Sequence, residues 1–278
     1  WIPFLAPSFR SIIKRTNKKI SVKSLVICDN IIPHENRPFD KFLTKSFFKH
    51  IDHFIVMSKS VEKDLLFLFP DAKYIYTPHP LYDIFGKCNN KDKSKRYLQI
   101  HENKVILFFG LIRPYKGLDL LIEASKTLKE KLNNFKILVV GDCYENPEPY
   151  SKMINKNGLN DIFDMRFEFV PNDKVNIYFS AADVIVLPYK SATQSGIVPV
   201  AYHFDKPVIV TNVGGLSEIV QEGKTGYVVY PEPNEIADGI LKYYNNSDKI
   251  NFVENIKSYK DNFTWNKFIE KIEQIFIQ

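Results

Sequence analysis

At 278 residues, with 45% hydrophobic and 25% charged residues, the chain has the composition of a folded globular protein. It also exceeds the size at which a single core stops growing, so two lobes are expected. No apolar run approaches the roughly 18–20 residues that cross a bilayer. The three cysteines, Cys28, Cys88 and Cys143, have no metal-ligand spacing. That odd, sparse set excludes a disulfide framework and suits a reducing compartment, the cytoplasm.

The net charge of +6 is unevenly spread: residues 1–100 hold 18 basic and 9 acidic residues, and the remaining 178 hold 20 and 23. The basic excess therefore belongs to the N-terminal part and points to an acidic partner there, a membrane surface or nucleic acid. The chain opens at Trp1 with no initiator methionine and no signal-peptide layout, and is expected to be part of a longer protein.

In chain order, residues 1–19 combine Trp1, Phe4, Leu5, Phe9, Ile12 and Ile13 with Arg10, Lys14, Arg15, Lys18 and Lys19. This is the pattern of a basic amphipathic helix able to lie on an anionic membrane; a domain helix with a solvated basic face is the plainer alternative. Strands are expected at 24–28, 54–57 and 74–76, with helices at 40–48 and 61–69. That is about half of a doubly wound domain, so 1–80 is taken as the C-terminal part of a Rossmann-like lobe. His34, in Pro33-His34-Glu35 after the first strand, is a candidate proton-handling group, although a lone histidine is more often structural. Residues 81–103, polar and lysine-rich, are expected to be a linker.

From residue 104 onward, short Val/Ile-rich runs at 105–109, 136–140, 167–170, 184–187, 208–210 and 226–229 alternate with helical segments, including 118–132, 175–181 and 197–204. Near-continuous hydrophobicity marks strands covered on both faces. Repeated βα units imply an α/β fold with a parallel, doubly wound sheet over 104–262, and ligands in such sheets bind beyond the carboxyl ends of the strands. Residues 263–278 form a last amphipathic helix, expected to pack back across the lobes.

The loop 110–117, Gly-Leu-Ile-Arg-Pro-Tyr-Lys-Gly, leaves the first of these strands and enters a helix. Gly110 permits the turn, and Arg113 and Lys116 add two cations beside a helix start, a combination that suits a diphosphate. A solvated basic loop is the alternative. Tyr189, Thr193, Gln194, Ser195 and Gly196 form a second loop of phosphate-binding type. Val170, Pro171 and Asn172 make a rigid turn whose backbone can read the edge of a flat base. Glu218 follows the paired glycines Gly214 and Gly215, where it can hold a polar group or cap a turn.

These segments, in order, resemble a known family. Gly110 to Gly117, Val139-Val140-Gly141, Ala182 to Pro188, Lys206-Pro207-Val208-Ile209, Val213 to Glu218 and Gly223 to Tyr227 are similar to the nucleotide-sugar half of family 4 (group 1) retaining glycosyltransferases of GT-B fold. The resemblance implies two Rossmann-like domains, the N-terminal one incomplete here. It also implies sugar transfer from a nucleotide-sugar donor without cofactor or bound metal. Arg113 and Lys116 would hold the donor diphosphate, Val170 to Asp173 the base, and Thr193 to Gly196 the distal phosphate and sugar. The chain departs from the family at Ala192 and Val200, which fall about where a pair of glutamates is expected.

The function expected from these residues is a retaining hexosyltransferase serving a glycan or lipid-linked acceptor in cell-surface polysaccharide biosynthesis. It would work in the cytoplasm, peripherally at the inner membrane face. The alternatives are a non-catalytic sugar-nucleotide-binding protein and a GT-B-like sugar-nucleotide epimerase. Nucleic acid is disfavoured as a partner, because the phosphate-type loops are pockets and no extended aromatic-basic strip is present.

Overall fold

The structure is a computed structural model and describes residues 3–20, 22–32 and 38–277. It divides into two compact units. The first comprises residues 1–80, 192–194 and 263–278; the second comprises 81–191 and 195–262.

The first unit contains α1 (Ala6–Lys19), β1 (Leu25–Cys28), α2 (Asp40–Phe48), β2 (His53–Val56), α3 (Lys59–Leu68) and β3 (Tyr74–Tyr76). The strands are parallel in the order β1-β2-β3, with Leu25 opposite His53 and Phe54 opposite Tyr74. Alternation along β2 sends side chains to two faces. Phe54 and Val56 join Phe47 and Phe48 of α2 and Val61 and Leu65 of α3 in one cluster. Ile55 and Met57 join Phe268 and Ile275 of the C-terminal helix Trp265–Ile277 in the other. That helix thus covers the second face of the first unit's sheet. Ser58 starts α3 as its N-cap, its hydroxyl accepting the Val61 N–H at 3.2 Å, and its burial belongs to that role.

The second unit contains α4 (Lys91–Tyr97), β4 (Lys104–Phe109), α5 (Leu118–Lys131), β5 (Phe135–Val140), α6 (Glu148–Lys156), β6 (Phe163–Arg166), α7 (Asn172–Ala181), β7 (Val184–Leu187), α8 (Ile197–His203), β8 (Val208–Thr211), β9 (Gly226–Val229), α9 (Pro233–Asn246) and α10 (Phe252–Lys260). The C-terminal helix of the first unit is α11. All six strands are parallel, in the order β6-β5-β4-β7-β8-β9. The four inner strands are buried along almost their whole length, as their continuous apolar sequences require. Leu118, Leu121, Ile122, Ser125 and Leu128 of α5 recur at helical spacing and are all buried.

Two elements differ from the sequence expectation. The strand expected at 167–170 lies at Phe163–Arg166 instead. β6 is an edge strand, and its Asp164 and Arg166 pair with each other at 2.7 Å on a half-covered surface. Its polar alternation hid it, and the apolar run behind it is loop. Within 81–103, expected as a linker, Lys91–Tyr97 is helical and packs on α7. Asn90 caps it by accepting the Lys93 N–H at 3.1 Å, and Lys91 pairs with Asp183. Five of its seven residues are charged. No hydrophobic period announces it, and the cap and the ion pair hold it in place.

Candidate active site

In the second unit the chain runs outward through β4, β5 and β6, then returns to add β7, β8 and β9 on the other side of β4. The direction of strand addition reverses between β4 and β7, and the crevice outside their carboxyl ends is where such sheets bind ligands. The loops leaving these two strands are the two that the sequence singled out, 110–117 and 188–196.

Main-chain contacts fix both loops. Gly110 donates to Val140 O at 2.9 Å and Ile112 donates to Asp142 O at 2.8 Å, so the first loop continues the β4–β5 pairing past the strand ends. Gly141 has φ +141°, and a Cβ there would sit 2.2 Å from Gly110 O; this close approach requires glycine. The second loop is tied to the first by Lys190, whose N–H donates to Tyr115 O at 2.7 Å and whose ammonium meets Asp119 at 2.6 Å. Gly117 has φ +69°, and a Cβ there would lie 1.9 Å from Pro188 O. Ile197, the first residue of α8, stands against Gly110: its Cδ1 would be 3.1 Å from an added Cβ.

Lys116 lies inside this frame at only 9% exposure. Its Nζ is 5.4 Å from the centre of the Tyr189 ring and 3.5 Å from where a Gly110 Cβ would be. Burial first, then the neighbouring Arg113 guanidinium, bring its pKa down to about 8 from the ordinary 10.5. An ammonium in that setting has lost water and gained little in exchange, and an anion restores what it lacks. Arg113 is more open. Its guanidinium lies 5.4 Å from the Tyr144 ring centre and 3.6 Å from Glu145. Tyr189 is buried, its hydroxyl 3.5 Å from Ser195 Oγ, which in turn accepts the Ile197 N–H at 3.2 Å.

Gly110, Arg113, Lys116, Tyr189, Ser195 and Gly196 therefore gather at the reversal point of the second unit. Val170, Pro171 and Asn172 follow the outermost strand on the β5 side; Val170 is buried while Pro171 and Asn172 face outward. Glu218 belongs to a single helical turn, Ser217–Ile219, in the loop after β8. Thr193 and Gln194 cluster with the first unit, where the Gln194 amide donates to Asp29 at 2.7 Å. His34 lies outside the described residues. A cavity of about 420 Å³ lined by Lys206, Asp248 and Lys249 lies at the opposite, amino-terminal ends of β7 and β8 and plays no part in this arrangement.

Four further residues join the site without a sequence signal: Tyr144 and Glu145 beside Arg113, Asp119 under Lys190, and Tyr82, whose hydroxyl would stand 3.3 Å from a Cβ on Gly196. Tyr144 and Glu145 were findable only by recognising that the loop after a second inner strand must reach the same crevice.

A doubly wound parallel sheet with two cations at its reversal point is an α/β arrangement of the kind that commonly holds phosphorylated ligands. A family model described as glycosyl transferases group 1 matches residues 89–262, and the chain belongs to that family. Among curated relatives, the uncharacterized glycosyltransferase MJ1069 of Methanocaldococcus jannaschii is 28% identical over 86% of this chain and 61% of its own length. The lipopolysaccharide 1,2-N-acetylglucosaminetransferase of Salmonella typhimurium is 27% identical over 68% of this chain and 52% of its own. The chain thus spans about half the length of the curated relatives it matches. The structure of Anabaena Alr3699/HepE in complex with UDP superposes with a TM-score of 0.82 at 18% identity, covering 98% of this chain and 76% of that one. The fold is the GT-B type of α/β fold expected from the sequence.

Proposed function

We propose that the protein transfers a sugar, with retention of configuration, from a nucleotide-sugar donor to a glycan or lipid-linked acceptor in cell-surface polysaccharide biosynthesis. The observation that carries this reading is the buried Lys116 beside Arg113 at the sheet's reversal point. A departing nucleoside diphosphate gains negative charge as the sugar–oxygen bond breaks. Lys116, desolvated and already in place, would stabilise that charge without reorganisation, and Arg113 stands beside it as a second cation. Ser195 and Gly196 lie at the same crevice, where they would meet the distal phosphate. Support for the donor class comes from the structural relative solved with UDP, and for the acceptor class from the lipopolysaccharide-modifying relative.

A panel of UDP-, GDP- and ADP-sugars tested by thermal shift checks this directly. One of them is expected to raise the midpoint, by an amount growing with the logarithm of its concentration. Stabilisation by none, together with stabilisation by an unrelated ligand, would overturn the assignment.

A second reading, a non-catalytic binder of sugar nucleotides, is favoured by one observation: Ala192 and Val200, both buried, stand where the family resemblance calls for carboxylates. Donor hydrolysis or transfer by the full-length protein excludes it.

The acceptor side of the proposal includes a membrane surface. Among the described residues no helix is long and apolar enough to cross a bilayer. Along α1, however, Phe9 and Ile12 are exposed beside Arg10, Lys14, Arg15, Lys18 and Lys19, and Phe4 is exposed just before it. Such a helix is expected to bind vesicles containing anionic lipid, each basic residue near the surface adding about 1 kcal/mol. Equal sedimentation with neutral and anionic vesicles would remove the membrane from the proposal.

A further inference from the structure

The loop after β5 brings a carboxylate, that of Glu145, to Arg113. Gly141 is pressed against Gly110, and Ile112 is bridged to Asp142 and Cys143, so the residues that follow are delivered to Arg113 by the backbone. Tyr144 offers its ring at 5.4 Å and Glu145 its carboxylate at 3.6 Å from Nη1. The Cys143 thiol donates to Glu145 O at 3.3 Å, which tightens the turn carrying both side chains.

The two contacts have different consequences for an arriving diphosphate. The ring is neutral and stays in place while the guanidinium turns toward phosphate. The carboxylate competes for the same donors and repels the incoming charge. The pair is long, and both side chains are partly exposed, 34% for Arg113 and 49% for Glu145, so it is weak and opens readily.

We infer that Glu145 is a resident counter-anion of the diphosphate site, holding Arg113 while the site is empty and weakening the grip on nucleoside diphosphate once it is filled. Its role in turnover rests on the donor reading above. It sets donor affinity from below and hastens release of the diphosphate product, while Tyr144 keeps the guanidinium in the plane from which it can reach either anion.

Calorimetric titration of wild type and Glu145→Gln with two probes, inorganic pyrophosphate and UDP, tests the inference. The substitution keeps the shape and removes the charge. Glu145→Gln is expected to bind pyrophosphate about 3–10-fold more tightly at about 50 mM salt, and the gain should shrink severalfold near 500 mM. Weaker binding would mean that Glu145 positions Arg113, and unchanged binding, or no binding by either protein, would mean that it does not act on the site. Any of these overturns the inference. Pyrophosphate carries neither base nor sugar, so failure of the donor reading shows separately. A donor that is not a uridine nucleotide, or no donor at all, shows as UDP failing to bind wild type, while pyrophosphate still tightens on Glu145→Gln.

Discussion

Lys116→Met is expected to lower kcat/KM for sugar transfer by roughly 10²–10³-fold while raising the thermal midpoint of the donor-free protein. Both effects have one cause. The Lys116 ammonium sits dry beside a second cation, and its folded-state pKa of about 8 is below its unfolded value of 10.5. The protonated form is therefore penalised on folding. The penalty is fully present below pH 8 and disappears as pH rises toward 10.5, so at neutral pH its removal is worth about 3 kcal/mol. Under the proposed function, the same penalty would make the ammonium effective against a developing diphosphate. In wild type, kcat/KM should fall as pH rises through about 8, where the free enzyme loses the proton. Lys116→Arg, which stays charged, should retain less activity at pH 7 but lose that fall. A methionine variant with wild-type turnover would remove Lys116 from the chemistry, and one with a lowered midpoint would contradict the account of its burial.

Gly117→Ala is expected to cost about 2–5 kcal/mol, seen as a drop of roughly 5–15 °C in the calorimetric midpoint of the second unit. Two terms add. The residue has φ +69°, which an alanine adopts with strain, and the new Cβ would be driven to 1.9 Å from Pro188 O. Backbone cannot step aside as a flexible side chain can, so the 110–117 and 188–196 loops must part. Donor binding should be lost with stability, because the same displacement moves Lys116 and breaks the Lys190-to-Tyr115 hydrogen bond. A midpoint within a degree of wild type would show that the two loops give way more easily than their contacts indicate.

The inner strands of the second unit were legible because burial on both faces leaves an unbroken apolar run. The expected and observed bounds of β4, β5, β7 and β8, and of the short edge strand β9, agree within a residue. The rule failed where burial is one-sided: β6, at the edge, alternates Phe163 and Met165 with the ion-paired Asp164 and Arg166, and α4 is almost entirely charged. At the site, Arg113 and Lys116 could be read because a strand, a glycine and two cations before a helix form a local pattern. Tyr144 and Glu145 carry no such local pattern, since their place beside Arg113 depends on Gly141 meeting Gly110 across two strands. The burial of Lys116 was also hidden, because the aromatic wall over it comes from Tyr189, seventy-three positions further along the chain.

The tie between the two loops, Lys190 N–H to Tyr115 O, is made of peptide groups, and so is the steric fit of Gly117 against Pro188. Neither depends on which side chains the residues at 192–196 carry. Substitution there can alter what the crevice selects while the frame that presents Lys116 persists. A loop lined by Ala192, Gln194 and Ser195 rather than by carboxylates thus changes the lining of the crevice and leaves the mould that shapes it to the backbone.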